Sequence, residues 1–537
     1  MYKRLKDPLY GYIDIEDDVM EKIVDTANFQ RLRSIIQTSY SPLYASAVHN
    51  RFVHSIGVYY LGKLVTNSIL EKLDAACKTE ELVRYITVFR FACILHDVGH
   101  APFSHTGEMF FLNKGSRDDL HKQLVTLTGD KELDKEISDK NYEAAPHELM
   151  SALVGLKVYN NLFKNNNEKS FFIRCITGYY YNESIDEDKS FLNCLISLLN
   201  SSIIDVDKLD YLIRDAYITG FDTVTIDYER LLSSIKLKKI DKVYECVYTK
   251  SAISVIENVV YAHDAERKWI QNHPIVQYEA YIVRHAIETI NKKYSKNKLF
   301  SYEFLTVDGK KINSSFKVSL LSDSDMIFLM KNIKDDYLIN EYFSRKDRRH
   351  PMWKSEAEYK AFFGNEVFDK VESEFEELSK YLNSVCKSED INDDAISACA
   401  KDIESTVSMR DANTDIKKRD LLAETIKSKS KHLEFLNCLK DFATQQSIEF
   451  DFVIIKANQF NSGFGKIEFS KIKIEFDGLK NPCTFSDIIN VPTPRKSDQD
   501  NFYYLFYRRR DKNVKIDLKG LASILGLLAF KESYKDI

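Results

Sequence analysis

The sequence predicts a mainly α protein with a smaller α+β region towards its C-terminus, on three observations. Only 9 prolines and 17 glycines interrupt 537 residues, which suits long helices better than a meander of tight turns. Apolar residues recur at three- and four-residue spacing through most of the first half, the period of a helix. Beyond Ile448 the pattern changes to alternation of apolar and polar residues, the period of a strand. A hydrophobic content of 44%, with 12% aromatic residues, is enough to fill more than one core.

Taken in order, Asp17 to about Asp264 reads as one helical domain, clearest in Val58–Leu73, Leu82–Leu95, His147–Tyr159 and Phe191–Leu212. The polar stretch Asn113–Ala145 breaks it, and Lys164–Lys169 reads as a solvated loop; both are expected to be mobile. A helix over Tyr281–Tyr294 is followed by a hairpin of Tyr302–Leu305 and Lys311–Asn313 around Val307-Asp308-Gly309. Residues 354–447 return to charged amphipathic helix, and Ile448–Phe476 reads as a small sheet. Phe502–Tyr507 adds a strand and Leu518–Phe530 a final helix. The expected division is a core over 1–290, a hairpin-containing extension over 291–350, a helical segment over 351–447 and a small α+β region over 448–537. No internal repeat is visible.

Net charge is −5 with both signs interspersed, which excludes a global basic field for nucleic acid. Arg345–His350 and Arg508-Arg509-Arg510 are local basic clusters that would suit nucleotide phosphates or single-stranded nucleic acid, with solvated surface as the plainer alternative. The nine cysteines show no C-x-x-C spacing, which argues against a structural zinc cluster or a disulfide framework and suits a reducing cytoplasm. Neither an apolar signal core after Met1 nor a membrane-spanning run is expected.

Five of the twelve histidines fall between His49 and His105, in His49-Asn50-Arg51-Phe52-Val53-His54 and His96-Asp97-Val98-Gly99-His100-Ala101-Pro102-Phe103-Ser104-His105. Imidazole is both a common ligand of divalent metals and the usual acid or base near neutral pH. His96 and Asp97 close an apolar helix, with Gly99 expected to let the backbone turn away, and can offer one ligand each to a single ion. His54 and Asp207 are the candidates for the missing ligands, Asp207 because acids interrupt the apolar run Ile203–Tyr211. Asp207, Tyr211 and Asp215 fall at i, i+4 and i+8, one polar stripe beside Lys208. Lys208, Tyr211 and Arg51 near a metal are groups that would hold a polyphosphate. His105 with Glu108, and His147 with Glu148, are weighed against ordinary helix-start pairs. His121, His350 and His432 are expected at the surface.

Over residues 1–290 the chain resembles the HD-domain deoxynucleoside triphosphate triphosphohydrolases, which include the vertebrate enzyme with a sterile-alpha-motif domain and bacterial dGTPases. The resemblance rests on Asp7–Gly11, Phe29–Arg33, His49–Val58, His96–His105 and Asp205–Tyr211. It implies an HD-domain helical core, in which His54, His96, Asp97 and Asp207 bind a divalent metal (Mn, Mg, Fe, Co or Zn). It implies that Arg51, His100, Lys208 and Tyr211 contact the triphosphate of a deoxynucleoside triphosphate, dGTP among them, with Asp215 in support. His105 would act near the scissile 5′-oxygen, oriented by Glu108 with His147 and Glu148 close by, and Gln37 would contact the sugar 3′-hydroxyl. Thr38 stands where vertebrate members have leucine, and Arg267 and His273 are candidates for a downstream sugar contact.

The segment with Asp25, Gln30 and Arg33 resembles one that holds an activating guanine nucleotide, against the plainer reading of a helix capped by Asp25. The same resemblance implies a nucleotide effector and, with the general frequency of such assemblies, a symmetric homo-oligomer; a part in antiphage defence is context only. Two other function classes stay open: a phosphohydrolase acting on another nucleotide, and a nucleotide sensor or nucleic-acid-binding partner with an inactive site.

Overall fold

In the computed structural model the described residues are 2–108, 114–138, 143–201, 204–221, 224–295, 301–312, 317–363, 365–457, 471–489, 503–509, 515–521 and 524. The fold is mainly α with a smaller strand-containing part. It divides into two compact units, one of residues 1–270, 282–339 and 462–494, the other of 271–281, 340–461 and 495–537.

The first unit opens with an antiparallel hairpin, β1 (Tyr2–Asp7) and β2 (Gly11–Glu16), paired from Tyr2↔Glu16 to Asp7↔Gly11. Its central helix is α1 (Arg51–Lys72), begun by the Asn50 side chain accepting the Val53 N–H. Phe52, Ile56, Val58, Tyr59, Leu61, Val65 and Ile69 are buried around it, so it is enclosed by neighbours instead of lying on the surface. Helix α2 (Glu80–Leu95), capped by Thr79, buries Ile86, Phe89, Ile94 and Leu95 and ends where His96 begins. After the short α3 (His105–Glu108), the polar stretch expected to be a mobile break instead forms α4 (Lys114–Thr128) and α5 (Lys131–Ser138). A thin stripe of Leu120, Leu124 and Leu133, all buried, anchors these two helices despite their polar composition.

Helix α6 (Pro146–Val158) follows, and then α7 (Asn166–Thr177), whose N-cap is Asn165 accepting the Glu168 N–H at 2.9 Å. The asparagine run expected to be a solvated loop is therefore a helix start. Helices α8 (Glu187–Leu199), α9 (Val206–Thr219) and α10 (Tyr228–Ser234) lead into a hairpin where continuous helix was expected: β3 (Ile235–Ile240) and β4 (Val243–Thr249). Its turn, Asp241-Lys242, takes positive φ at both residues, the conformation that joins two right-twisted strands tightly. Helices α11 (Ile253–Glu266) and α12 (Pro274–Ile290) come next. The later hairpin is displaced from its expected place. Tyr302–Leu305 forms a single tight helical turn that buries Phe304 and Leu305, and the paired strands are β5 (Lys310–Lys311) and β6 (Lys317–Val318). Helix α13 (Asp323–Lys331) follows them.

The second unit holds α14 (Glu356–Phe363), α15 (Asn365–Cys386), α16 (Asp393–Asp411) and α17 (Ile416–Gln445). Its antiparallel sheet has the order β7 (His350–Pro351), β12 (Tyr503–Tyr507), β9 (Phe452–Lys456), β8 (Asp390–Ile391). The strand expected over Phe502–Tyr507 is present from Tyr503, and all five of its residues are buried. Ile448–Phe476 does not form one sheet, because β9 lies here while β10 (Lys473–Glu475) runs parallel to β4 and pairs with β11 (Cys483–Thr484) in the first unit. The helix expected over Leu518–Phe530 lies mostly outside the described residues.

The basic clusters are only partly open to solvent: Arg345 and Lys346 are exposed, Arg348, Arg349 and Arg508 are taken up in ion pairs, and Arg510 lies outside the described residues. Arg349 is buried and paired with Asp390 at 2.8 Å and with Asp451. Arg348 meets Glu279 at 2.6 Å, and Arg508 meets Asp451 at 2.5 Å and Glu341. His350 is exposed and His121 partly so, but His432 is buried, contrary to expectation. All nine cysteines are free thiols, and among the described residues no helix is long and apolar enough to cross a membrane.

Candidate active site

Three elements converge in the first unit. His54 lies in the first turns of α1, His96 and Asp97 at the C-terminal end of α2, and Asp207 in the first turn of α9. Asp205 caps α9 through the Lys208 N–H at 2.7 Å, which fixes the turn that carries Asp207. Asp210, one turn further on, lies 2.8 Å from His54 Nδ1, and the Cys93 carbonyl lies 2.9 Å from His96 Nδ1. With Nδ1 occupied in each ring, both Nε2 atoms turn to the same point, 3.2 Å apart and 2.9 and 3.4 Å from Asp207 Oδ1. The Asp97 carboxylate completes the group, 3.6 Å from His54 Nε2 and 3.5 Å from His96 Nε2. Two imidazoles and the Asp207 carboxylate, mutually within reach, could hold a borderline divalent cation, with the Asp97 carboxylate beside both rings as a further oxygen donor.

The electrostatics agree with that fit. Burial works against a charged His54, yet hydrogen bonding to Asp207 and Asp210 lifts it to about 10, so without a metal a proton answers the clustered acids. Burial alone would raise the Asp97 carboxyl; Arg51 first, then His96 and His100, hold it well below the usual range. Arg51 Nη1 lies 2.8 Å from Asp97, and its Nε donates to Ser104 at 2.9 Å.

A second cluster adjoins the first through His100, whose Nε2 lies 3.2 Å from Asp97. Its centre is Glu108, with Oε1 at 2.7 Å from His105 Nδ1, 3.0 Å from His147 Nδ1 and 3.4 Å from His100 Nδ1. The His100 and His147 rings stack at 4.4 Å, while His105 is 65% exposed. Burial and Arg51 push His100 well below an ordinary histidine, so it is neutral at pH 7. Burial opposes charge on His147 too, but Glu108 lifts it to about 9. Adjacent histidines thus differ in protonation state.

The other residues expected in the site fall around these clusters. Gln37 is buried with Oε1 unpartnered, and its carbonyl accepts from Arg51 Nη2 at 3.2 Å. Lys208 pairs with Asp205 at 2.6 Å and donates to the Ser201 carbonyl. Burial, then Glu266, raises the Tyr211 hydroxyl well above its usual range, and Asp215 sits 2.8 Å from His49 Nε2. Glu148 accepts the Ala145 N–H and the Asn200 amide, a positioning role at the start of α6 instead of one beside Glu108. In the segment proposed for an effector, Asp25 faces Lys3 at 3.7 Å and Arg33 lies over the Phe52 ring and donates to Gln30 at 2.8 Å. The helix cap there is Thr26, not Asp25.

Three residues escaped sequence reasoning as site components, and one was given the wrong role. Asp210 orients His54 and pairs with Arg214 at 2.9 Å; its place one helical turn after Asp207 was the available signal. Arg31 is buried and donates to the carbonyls of Val98 and His100, and Asp323 accepts the Ile36 and Phe103 N–H groups. These long-range pairings leave no local pattern. Gly99 does not adopt positive φ, contrary to its expected turning role; a Cβ there would strike the backbone of Met150 and Ser151 in α6. Between Gly99 and His105 the left-handed residues are Phe103 and Ser104.

No family model matches the chain. It is 31% identical over 259 residues to uncharacterized protein MG461 of Mycoplasma genitalium, covering 47% of this chain and 52% of that protein. It is 28% identical over 271 residues to the deoxynucleoside triphosphate triphosphohydrolase SAMHD1 homolog of Dictyostelium discoideum, covering 49% and 46%. To deoxynucleoside triphosphate triphosphohydrolase SAMHD1 of Mus musculus it is 27% identical over 274 residues, covering 48% and 38%. The chain spans about half the length of the curated relatives it matches. A hypothetical protein from Aquifex aeolicus shares the fold at a TM-score of 0.53 and 16% identity, over 95% of this chain and 97% of that one. About half of this chain is thus related in sequence to deoxynucleoside triphosphate triphosphohydrolases.

Proposed function

We propose that this protein is a metal-dependent phosphohydrolase that cleaves deoxynucleoside triphosphates, dGTP among them, to deoxynucleoside and inorganic triphosphate. The observation that carries the reading is the convergence of His54, His96 and Asp207, with Asp97 against both rings, beside Arg51 and a second histidine cluster. His54, His96, Asp97 and Asp207 would hold the divalent ion, which would supply an acidified water and neutralise phosphate charge. Arg51, Lys208 and Tyr211 hold the triphosphate oxygens, and neutral His100 adds a hydrogen bond without adding charge. Arg51 is already oriented by Asp97, Ser104 and the Gln37 carbonyl, so little order is lost when phosphate arrives.

At the other end of the scissile bond, His105 is held through Nδ1 by Glu108 and is exposed enough to meet the leaving 5′-oxygen as general acid. His147 shares the same carboxylate and keeps a positive charge beside it at neutral pH. Gln37 offers a buried, unpartnered oxygen to a sugar hydroxyl. A nucleotide held by Asp25, Gln30 and Arg33 is the corresponding proposal for regulation.

The test is product analysis by mass spectrometry with each dNTP alone and with all four mixed, in manganese or magnesium. Deoxynucleoside and triphosphate are expected, with the rate reduced at least about 1,000-fold by His96→Ala with Asp97→Ala. Release of orthophosphate or diphosphate would assign the site to a different phosphoryl transfer, and no turnover of any nucleotide would overturn the enzymatic reading. Faster turnover in the mixture than with any single dNTP would support the effector.

A further inference from the structure

The second unit contains a separate group of metal-ligating side chains. Glu374 and Glu377 stand at i and i+3 on α15, on one face of that helix, and His432 stands on α17. One carboxylate oxygen from each glutamate and one ring nitrogen of His432 all lie within 4.8 Å of one another. Beside them is a cavity of about 20 Å³, walled by Val371, Phe375, Leu378 and Phe435, with Glu374 and His432 in its lining. That volume accepts one water molecule or one ion and no organic ligand.

His432 supplies the independent observation. It is 6% exposed, and neither of its ring nitrogens has a hydrogen-bond partner, although one face of the ring is stacked on Tyr381 at 5.2 Å. Buried imidazoles ordinarily satisfy at least one nitrogen, so this ring is aimed at a group not supplied by the protein. The site already attracts positive charge, since the Lys431 ammonium pairs with Glu374. An ion bound here would take Lys431's place on that carboxylate.

We propose that Glu374, Glu377 and His432 bind a single first-row divalent transition ion, clipping α15 to α17 independently of the histidine clusters of the first unit. Mixed imidazole and carboxylate donors select manganese, iron, cobalt or zinc over calcium, which prefers all-oxygen sites. The exposed side of Glu377 leaves room for water to complete the coordination.

The experiment uses the full chain stripped with chelator and titrated with Co²⁺, following bound metal by elemental analysis and the visible absorption of the imidazole–carboxylate complex. His432→Phe preserves the stack on Tyr381 and most of the ring volume while removing both donors. The parent should bind one more Co²⁺ per chain than His432→Phe, and the same difference should persist when both carry His96→Ala and Asp97→Ala. Thermal unfolding should show a smaller Co²⁺-dependent rise in midpoint for His432→Phe than for the parent. Equal stoichiometry in parent and His432→Phe would overturn the proposal. Should His432→Phe fail to fold, Glu374→Gln with Glu377→Gln reads the same difference, and an unchanged cobalt count there would overturn it as well.

Discussion

In the first unit, His54, His96 and Asp207 converge on one point with Asp97 against both rings, whereas in the second Arg348, Arg349 and Arg508 alternate with Glu279, Glu341 and Asp451. Both arrangements place charge out of water. The alternating one is complete in itself, because each guanidinium meets a carboxylate at hydrogen-bond distance. The converging one is balanced only when a cation, whether proton or metal, sits among the donors. Buried charge therefore marks a binding site where like donors face one another, and a structural joint where opposite charges do.

That contrast can be broken most forcefully at Arg349. Replacing it with Met leaves Asp390 and Asp451 without their shared cation and should lower stability by about 3–5 kcal/mol, measured by denaturant unfolding. Metal binding by the first unit should be unchanged in the same variant.

Asp323 offers a sharper test through pH. Burial raises its carboxyl to about 6, only partly offset by the Ile36 and Phe103 N–H groups and by Arg31. A folded pKa above the unfolded value means a stability contribution that is complete below about pH 4 and lost as pH rises through 6. Asp323→Asn cannot lose that contribution. Its stability relative to the parent should therefore improve by about 2–3 kcal/mol between pH 4 and pH 7, a change equal to two pKa units. A flat difference across that range would show that the carboxyl titrates normally.

A smaller effect is expected at Asp210, which holds the His54 ring without belonging to the four converging donors. Asp210→Asn should weaken metal affinity about 10- to 100-fold while the bound stoichiometry stays the same. The smallest belongs to Arg345, half exposed and 3.9 Å from Glu279: Arg345→Gln should change stability by no more than about 0.5 kcal/mol.

The same contrast explains what could be read from the chain beforehand. Helices α1 and α2 were visible because their apolar residues repeat at helical spacing, and His54, His96 and Asp97 lie at their ends. Asp207 stood out as an acid in an apolar run. Arg349 and Arg508 looked like open basic patches because their neutralising partner, Asp451, lies 102 and 57 residues away. Helices α4 and α5 were missed because three leucines carry their packing, too few to outweigh the polar composition. Strands β7 and β8 have two residues each, too short for any alternation to register. The division of β9 and β10 between sheets was set by distant partners that no local pattern discloses.

Gly99 lies between the two histidine groups, against the backbone of Met150 and Ser151. It works as a gauge block: the missing methyl sets how near α6 can come, and so how closely His147, at the start of that helix, rests on His100. Enlarging the residue by one carbon would act as a shim against the backbone of α6. The strain would fall on the approach of α6, and so on the contact of His147 with Glu108 and His100.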